Sequence, residues 1–375
     1  MITLKAHMDL KSELQTINDR GLFRRRKILS SPQSVKISAN GKNLLNFSSN
    51  DYLSLANHPR VKEAFIKGIE KYGVGSGASH LVSGHFDVHE ELEIKLASYT
   101  KQQKALVFSS GFSANLGIFS ALSDQVNWVL QDKLNHASLI DANHLIQKRV
   151  ERYKHNDIAS LRNKISKKIG PGLIATDNVF SMDGDVAEIN QVDLIAKNHG
   201  SILMQDDAHG FGVFQPNIPD NSIYMATLGK SAGTMGAFVS GSRDLIDLII
   251  QRGRSYIYTT ALPPAISAAS ITSLELIIEG EQTRKLHENI RFFKDYSKQL
   301  KINLLESDSG IQPILIGDNK KVIDISGVLF SKGFNVGAIR SPTVPKGTER
   351  LRITLSADHS QDQISSLLET LSNAL

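Results

Sequence analysis

Apolar and polar positions along this chain follow two different spacings, and the switch between them outlines the elements. Over 61–72 the apolar residues Val61, Ala64, Phe65 and Ile69 recur at intervals that place them on one helix face. The stretch 88–99 repeats that pattern. The polar, basic stretch 9–28 is read as a helix closing on Arg24-Arg25-Arg26-Lys27. From residue 104 onward short apolar runs take over, at 104–109 (KALVFS), 128–130, 172–176 (GLIAT), 201–205 (SILMQ), 222–227 and 236–240. Gly111-Phe112 turns the first run into a helix, and 189–198 is a helix with Gly200 as its stop. Short strands with helices between them predict a mostly parallel sheet covered by helices on both faces. Pro263-Pro264 opens a further helix to 278, since proline suits a first turn. The tail reads as strands at 311–316, 335–339 and 350–355 and a helix at 361–375. The expected organisation is therefore α/β, with an N-terminal helix and arm over 1–45, a large domain over 46–285 and a smaller C-terminal α/β domain over 286–375.

Composition narrows the class. A chain of 375 residues, 41% hydrophobic and 22% charged, matches ordinary globular proteins and argues against disorder or a coiled-coil rod. The absence of cysteine excludes disulfides, a thiolate metal site and a cysteine nucleophile, and suits a reducing, cytoplasmic setting. A net charge of +5 is too mild to call for nucleic acid. No apolar run approaches the roughly 20 residues of a membrane helix, and 1–30 lacks the apolar centre of a signal peptide.

Parallel sheets bind ligands beyond the carboxyl ends of their strands. At the end of SILMQ stands Asp206-Asp207-Ala208-His209-Gly210, and at the end of the next strand Thr227-Leu228-Gly229-Lys230-Ser231. A solvated turn and a surface lysine would account for either alone. Together, a strand-end acid and a strand-end lysine meet the needs of pyridoxal phosphate, which lysine holds as a Schiff base while a carboxylate pairs with the pyridinium nitrogen. Ser109-Ser110-Gly111-Phe112-Ser113, between strand and helix, offers backbone N–H groups to a phosphate or is a plain turn. His136 follows another strand and either stacks on a ring or is structural.

Other motifs carry less. Gly73-Val74-Gly75-Ser76-Gly77-Ala78 has dinucleotide-type spacing but follows a helix rather than a strand. His85 and His89, four apart and followed by Glu90, could meet a metal, but no third ligand is evident nearby, so no metal is expected. The Arg24 to Lys27 run reads as a solvated helix end.

Several segments, in order over nearly the whole chain, carry a resemblance. They are Asn50-Asp51-Tyr52-Leu53, Gly75-Ser76-Gly77, Leu81-Val82-Ser83-Gly84, Ser110-Gly111-Phe112-Ser113-Ala114-Asn115, Asn135-His136-Ala137-Ser138, Phe180-Ser181-Met182-Asp183-Gly184, Asp206 to Gly210 and Thr227 to Lys230. The chain resembles the α-oxoamine synthases among the fold type I, aspartate-aminotransferase-like pyridoxal-phosphate enzymes. The resemblance implies Lys230 as Schiff-base lysine and proton-transfer base, Asp206 as pyridinium partner, His209 as contact to the ring hydroxyl and His136 as the stacking ring. It implies cofactor contacts from Gly111, Phe112, Ser181 and Thr227, and from Thr259 or Thr260 to the phosphate of a neighbouring subunit, hence a homodimer. For substrate it implies Arg24, His136 and Thr343, with Arg340 or Arg352 pairing with the amino-acid carboxylate. The segments 22–26, 258–264, 338–345 and 350–355 are most similar to the member that joins L-alanine to a pimeloyl thioester of coenzyme A or acyl carrier protein; a sister enzyme using glycine and acetyl-CoA is the alternative. Ser54 and Ala78 stand where the family commonly has glycine, and His80 where arginine is usual.

Overall fold

The computed structural model describes residues 9–20, 22–24, 26–146 and 148–375. Two sheets organise it. A hairpin of β1 (Lys36–Ala39) and β2 (Lys42–Phe47) comes first. Seven strands then build the larger sheet: β3 (Lys104–Phe108), β4 (Trp128–Asp132), β5 (Arg149–Tyr153), β6 (Gly172–Asp177), β7 (Ile202–Asp206), β8 (Ile223–Thr227) and β9 (Ala237–Gly241), in the order β3-β9-β8-β7-β6-β4-β5. Pairings from β5 through β8 are parallel, and β9 runs antiparallel to both its neighbours. The reversal follows from chain length. Only residues 228–236 join β8 to β9, too few for the dozen or more that a parallel crossover needs. The continuous apolar runs seen in the sequence are those of strands covered on both faces. One face packs Phe108, Ile118, Met204 and Met225 beneath the helix Gly111–Leu122. The other packs Leu130, Leu161, Ile174, Val192 and Leu203.

The second sheet joins β10 (Ile311–Leu315), β11 (Phe334–Ile339) and β12 (Arg350–Thr354) in the order β1-β2-β11-β12-β10. This changes the expected division of the chain. The boundary at 45/46 falls inside β2, which pairs in parallel with β11, so residues 36–47 belong to the C-terminal sheet rather than to an arm. Leu44 and Phe47 are buried there, and an isolated hairpin could not cover them. The boundary at 285/286 likewise falls inside a helix, Glu281–Gln299. The break in the chain is Gly280, whose φ of +77° ends the helix Pro264–Glu279. Phe47, Leu53, Leu274, Leu286, Phe293, Ile353 and Leu367 share one apolar cluster, which welds the two sheets.

The first helix is shorter than expected. It covers Leu10–Asp19, and Leu22 N donates to Ile17 O just after it. The basic run lies beyond it: Lys27 Nζ donates to Asn335 Oδ1 at 2.6 Å, and Leu29 bridges to Ala39 of β1. The described residues of the run are therefore not a helix end, and the residues after it, 28–30, follow the edge strand β1; residues 1–8, Gly21, Arg25 and Gln147 lie outside the described residues. Where the helices Pro59–Tyr72 and Pro264–Glu279 cross, Gly68 lets them touch, because a Cβ there would lie 2.8 Å from Ala265 Cα. Among the described residues no helix is long and apolar enough to cross a membrane.

Candidate active site

Strands β3, β4, β6, β7 and β8 end on one edge of the large sheet, and the residues that follow them enclose a cavity of about 180 Å³. Asp206 ends β7, Asp177 ends β6 and Thr227 ends β8. Gly111 and Phe112 open the helix after β3. His136, His209 and Lys230 complete the lining.

The two adjacent acids part company. Alternation along β7 turns Asp206 into the cavity, where its Oδ2 accepts from Asn115 Nδ2 at 2.8 Å and its Oδ1 from the Ala208 amide at 3.1 Å. Asp207 points into the core, accepting from Asn178 Nδ2 and Tyr224 Oη, each at 2.7 Å. Burial pushes its carboxyl up to about 7.

Lys230 projects from a turn closed by Gly233 N donating to Lys230 O at 2.9 Å. Gly233 sits at φ +67° against the Leu55–Ala56 backbone, where any Cβ would collide. The lysine is thereby fixed from behind. Burial lowers its ammonium to about 8, opposed by the attraction of Asp206 and Asp177. Its Nζ lies 2.8 Å from His209 Nε2, and His209 Nδ1 lies 2.6 Å from Tyr52 Oη. Burial, and then the Lys230 charge, hold His209 well below the usual histidine range. A neutral imidazole that accepts from Lys230 at Nε2 donates from Nδ1 to Tyr52, whose hydroxyl donates to Asn50 Oδ1 at 3.2 Å.

His136 caps the helix Ala137–Ala142 through Nδ1, which accepts from the Ser138 amide at 3.3 Å. Its own amide donates to Asp177 at 3.1 Å. Burial lowers its imidazolium. Across the cavity, Ser110 caps the helix Gly111–Leu122 by accepting from the Ser113 amide at 3.1 Å. Among the described residues the Gly111 and Phe112 amides have no acceptor, so they remain available to an anion.

Seven residues expected from the sequence, Gly111, Phe112, His136, Asp206, His209, Thr227 and Lys230, therefore meet around one cavity. Ser181 and Arg352 stand just outside it: Arg352 Nε donates to Ser181 O at 2.6 Å, and its NH2 reaches Tyr52 Oη at 3.4 Å. Arg24, Thr259, Thr260, Arg340 and Thr343 do not line the cavity. Three site residues had no assigned role in the sequence reading: Asp177, Asn115 and Tyr52. Asp177 ends the run GLIATD as Asp206 ends SILMQD, the same signal of a strand-end acid. Burial and the facing Asp206 push its carboxyl well above the usual range.

The fit of this cavity to pyridoxal phosphate rests on its donor set: a free helix N-terminus for a phosphate, a buried carboxylate for a ring nitrogen, and a buried amine for an aldehyde. A family model described as aminotransferase class I and II matches residues 42–371. The chain belongs to this family. It is 46% identical to an 8-amino-7-oxononanoate synthase of Stutzerimonas stutzeri, with 97% of this chain and 96% of the relative covered. A serine palmitoyltransferase from S. paucimobilis, solved with pyridoxal phosphate and myriocin, superposes with a TM-score of 0.90 at 27% identity, covering 100% of this chain and 98% of that one. An 8-amino-7-oxononanoate synthase from Francisella tularensis superposes with a TM-score of 0.74 at 30% identity, covering 88% and 97%. The resemblance to α-oxoamine synthases and the fold type I architecture are borne out, and pyridoxal phosphate is the cofactor of this fold family.

Proposed function

We propose that the chain joins L-alanine to a pimeloyl thioester, releasing carbon dioxide and the free thiol carrier, to form 8-amino-7-oxononanoate for biotin biosynthesis, the product its curated relatives are named for. The observation that carries the reading is a buried lysine amine facing a buried carboxylate across a cavity with a free helix N-terminus on its wall. Pyridoxal phosphate, bound there, supplies the electron sink that makes a Cα–H bond of an amino acid acidic enough to break.

The chain's own groups do the rest. The Gly111 and Phe112 amides hold the phosphate, with Thr227 beside them. Asp206 keeps a proton on the ring nitrogen, and Asn115 keeps Asp206 in place. His136 covers one ring face. His209 holds the ring hydroxyl and passes its orientation back to Tyr52. Lys230, lowered to about 8, exists partly as free amine near neutrality, so its Nζ can take the Cα proton and return it after decarboxylation. Of the two candidate cations, Arg352 suits the amino-acid carboxylate: it is buried beside Ser181 and Tyr52. Arg24, exposed before β1, and Thr343 serve the acyl substrate, with Arg24 meeting the terminal carboxylate of pimelate.

A homodimer accords with this reading. Thr259 or Thr260 reaches a neighbour's phosphate, and the exposed apolar side chains of Leu81, Val82, Met235 and Tyr258 support such a contact. The setting is cytoplasmic. The test is product analysis by mass spectrometry with L-alanine or glycine crossed against pimeloyl-CoA, pimeloyl acyl carrier protein and acetyl-CoA. Turnover only with glycine and acetyl-CoA would move the assignment to the sister enzyme.

A further inference from the structure

The two histidines of the segment after Gly84 lacked a third partner in the sequence, and the fold supplies it. Residues His80–Gly84 form a wide turn, with Gly84 N donating to Ser79 O at 2.9 Å. Gly84 is required there because a Cβ would collide with the Ala78 carbonyl. The turn carries His80 back over His85 and over His89 of the helix Asp87–Thr100. One ring nitrogen from each of the three lies within 4.8 Å of the others. We propose that His80, His85 and His89 form a binding site for a divalent transition-metal ion of the zinc class, separate from the active-site cavity and closed by a water on the exposed His85 side.

Ring orientation supports the assignment. His80 Nδ1 and His85 Nδ1 are 2.8 Å apart. Zinc–nitrogen bonds of about 2.0–2.1 Å in a tetrahedron set ligand nitrogens about 3.3 Å apart, so the pair opens by only about half an ångström. Two of the three far nitrogens are already anchored as metal-ligating imidazoles require. His85 Nε2 lies 3.3 Å from Glu90 Oε2, and His89 Nε2 donates to Leu262 O at 2.7 Å. That donation leaves the His89 lone pair on Nδ1, where the Phe86 amide now donates at 3.0 Å and would give way to the ion. His80 is stacked on Tyr256, with ring centroids 4.9 Å apart and an 11° interplanar angle. His85 remains accessible, giving an entry path.

The site bears on the rest of the molecule through Leu262. Its carbonyl accepts from both His89 and Ser76 Oγ, and the adjacent Ala261 amide donates to Ala78 O at 3.0 Å. An ion held by the three imidazoles therefore pins the segment that carries Thr259 and Thr260.

The test is titration of the untagged, cofactor-loaded protein with Zn²⁺ by calorimetry and with Co²⁺ by visible absorption, in buffer free of phosphate and chelator. The expected result is one ion per chain with the intense visible bands of four-coordinate Co²⁺. His85→Ala, at an accessible position that leaves the fold intact, abolishes those bands, and Glu90→Gln weakens binding about 10- to 100-fold. Binding equally tight in His85→Ala, or no binding at millimolar Zn²⁺, would overturn the proposal. So would loss of binding in Glu93→Gln with none in His80→Phe, because it would move the ion to the acidic residues beside His85.

Discussion

Asp206→Asn and Asp207→Asn separate chemistry from folding at adjacent positions. In Asp206→Asn the new amide faces Asn115, whose Oδ1 is buried without a partner. Turning the Asn115 side chain over lets that oxygen accept from the new amide but takes Asn115 Nδ2 away from Ser138 Oγ, so the fold loses about 1–3 kcal/mol, the cost of one buried donor left without its partner. Activity fares differently. A neutral amide cannot hold a proton on a ring nitrogen, and breaking a buried ion pair costs about 3–5 kcal/mol, which is about 10²- to 10⁴-fold in rate. Asp207→Asn reverses the pattern. The side chain is nearly the same shape, keeps partners in Asn178 and Tyr224, and does not line the cavity, so turnover stays within a few-fold of the parent. Stability changes instead. The Asp207 carboxyl is raised from 3.8 to about 7 on folding, so the folded state holds its proton more tightly than the unfolded chain. Its contribution is fully present below pH 3.8 and is lost as pH rises through about 7, up to about 4 kcal/mol in all. The parent should therefore lose stability relative to Asp207→Asn between about pH 4 and 7. Steady-state kinetics and denaturant melts of both variants across that range are the assay. Near-normal turnover in Asp206→Asn, or a loss of about 10²-fold or more in Asp207→Asn, would refute the division of labour between the two carboxylates.

Three further outcomes are expected. Lys230→Ala should keep its thermal melt and lose both turnover and the visible absorbance of the cofactor-bound protein, read by spectrophotometry on the purified variant. In the cofactor-free protein, the rate of covalent capture of added pyridoxal phosphate should rise with pH through about 8, because the free Lys230 amine is the reacting form and burial has lowered it to that value; a stopped-flow pH series reads this, and a midpoint near 10 would contradict it. Ser54→Gly should leave stability within about 1 kcal/mol of the parent in denaturant melts: relief of φ +56° offsets the loss of the hydroxyl's bonds to Ser356 and the Asp358 amide, at 3.3 Å each.

β5 was missed because charged residues interrupt it; the other strands of the large sheet were legible because strands buried on both faces write themselves as unbroken apolar runs, and those of β6, β7 and β8 end in a polar residue that lines the cavity. SILMQ followed by Asp206 is the plainest case. What the pattern could not give was direction and partnership. The run at 236–240 looks like its parallel neighbours, and only the length of 228–236 reveals the reversal. β2 lies in a chain region with few other cues, and its partner β11 is far away in sequence, so periodicity assigned it to an arm. The long helix Glu281–Gln299 was missed because its exposed face is dense in charge. Within the site, Lys230, Asp206 and His209 were visible as strand-end chemistry, whereas Tyr52 and Asn115 act on those residues from other elements, which is a property of packing. Ser54 is instructive in the other direction: its departure from the family's glycine coincides with a left-handed backbone.

The pairing of β2 with β11 also sets a timetable for synthesis. An apolar strand completed at Phe47 finds its parallel partner only when Phe334 has left the ribosome, a wait of roughly 15–60 s at the ~5–20 residues per second of translation. β3 waits similarly for β9, so the wall carrying Gly111 and Phe112 is seated only after Gly241 emerges. Newly made chains thus pass through a period with two unpaired strand edges, the condition under which chaperones are engaged and aggregation competes with folding.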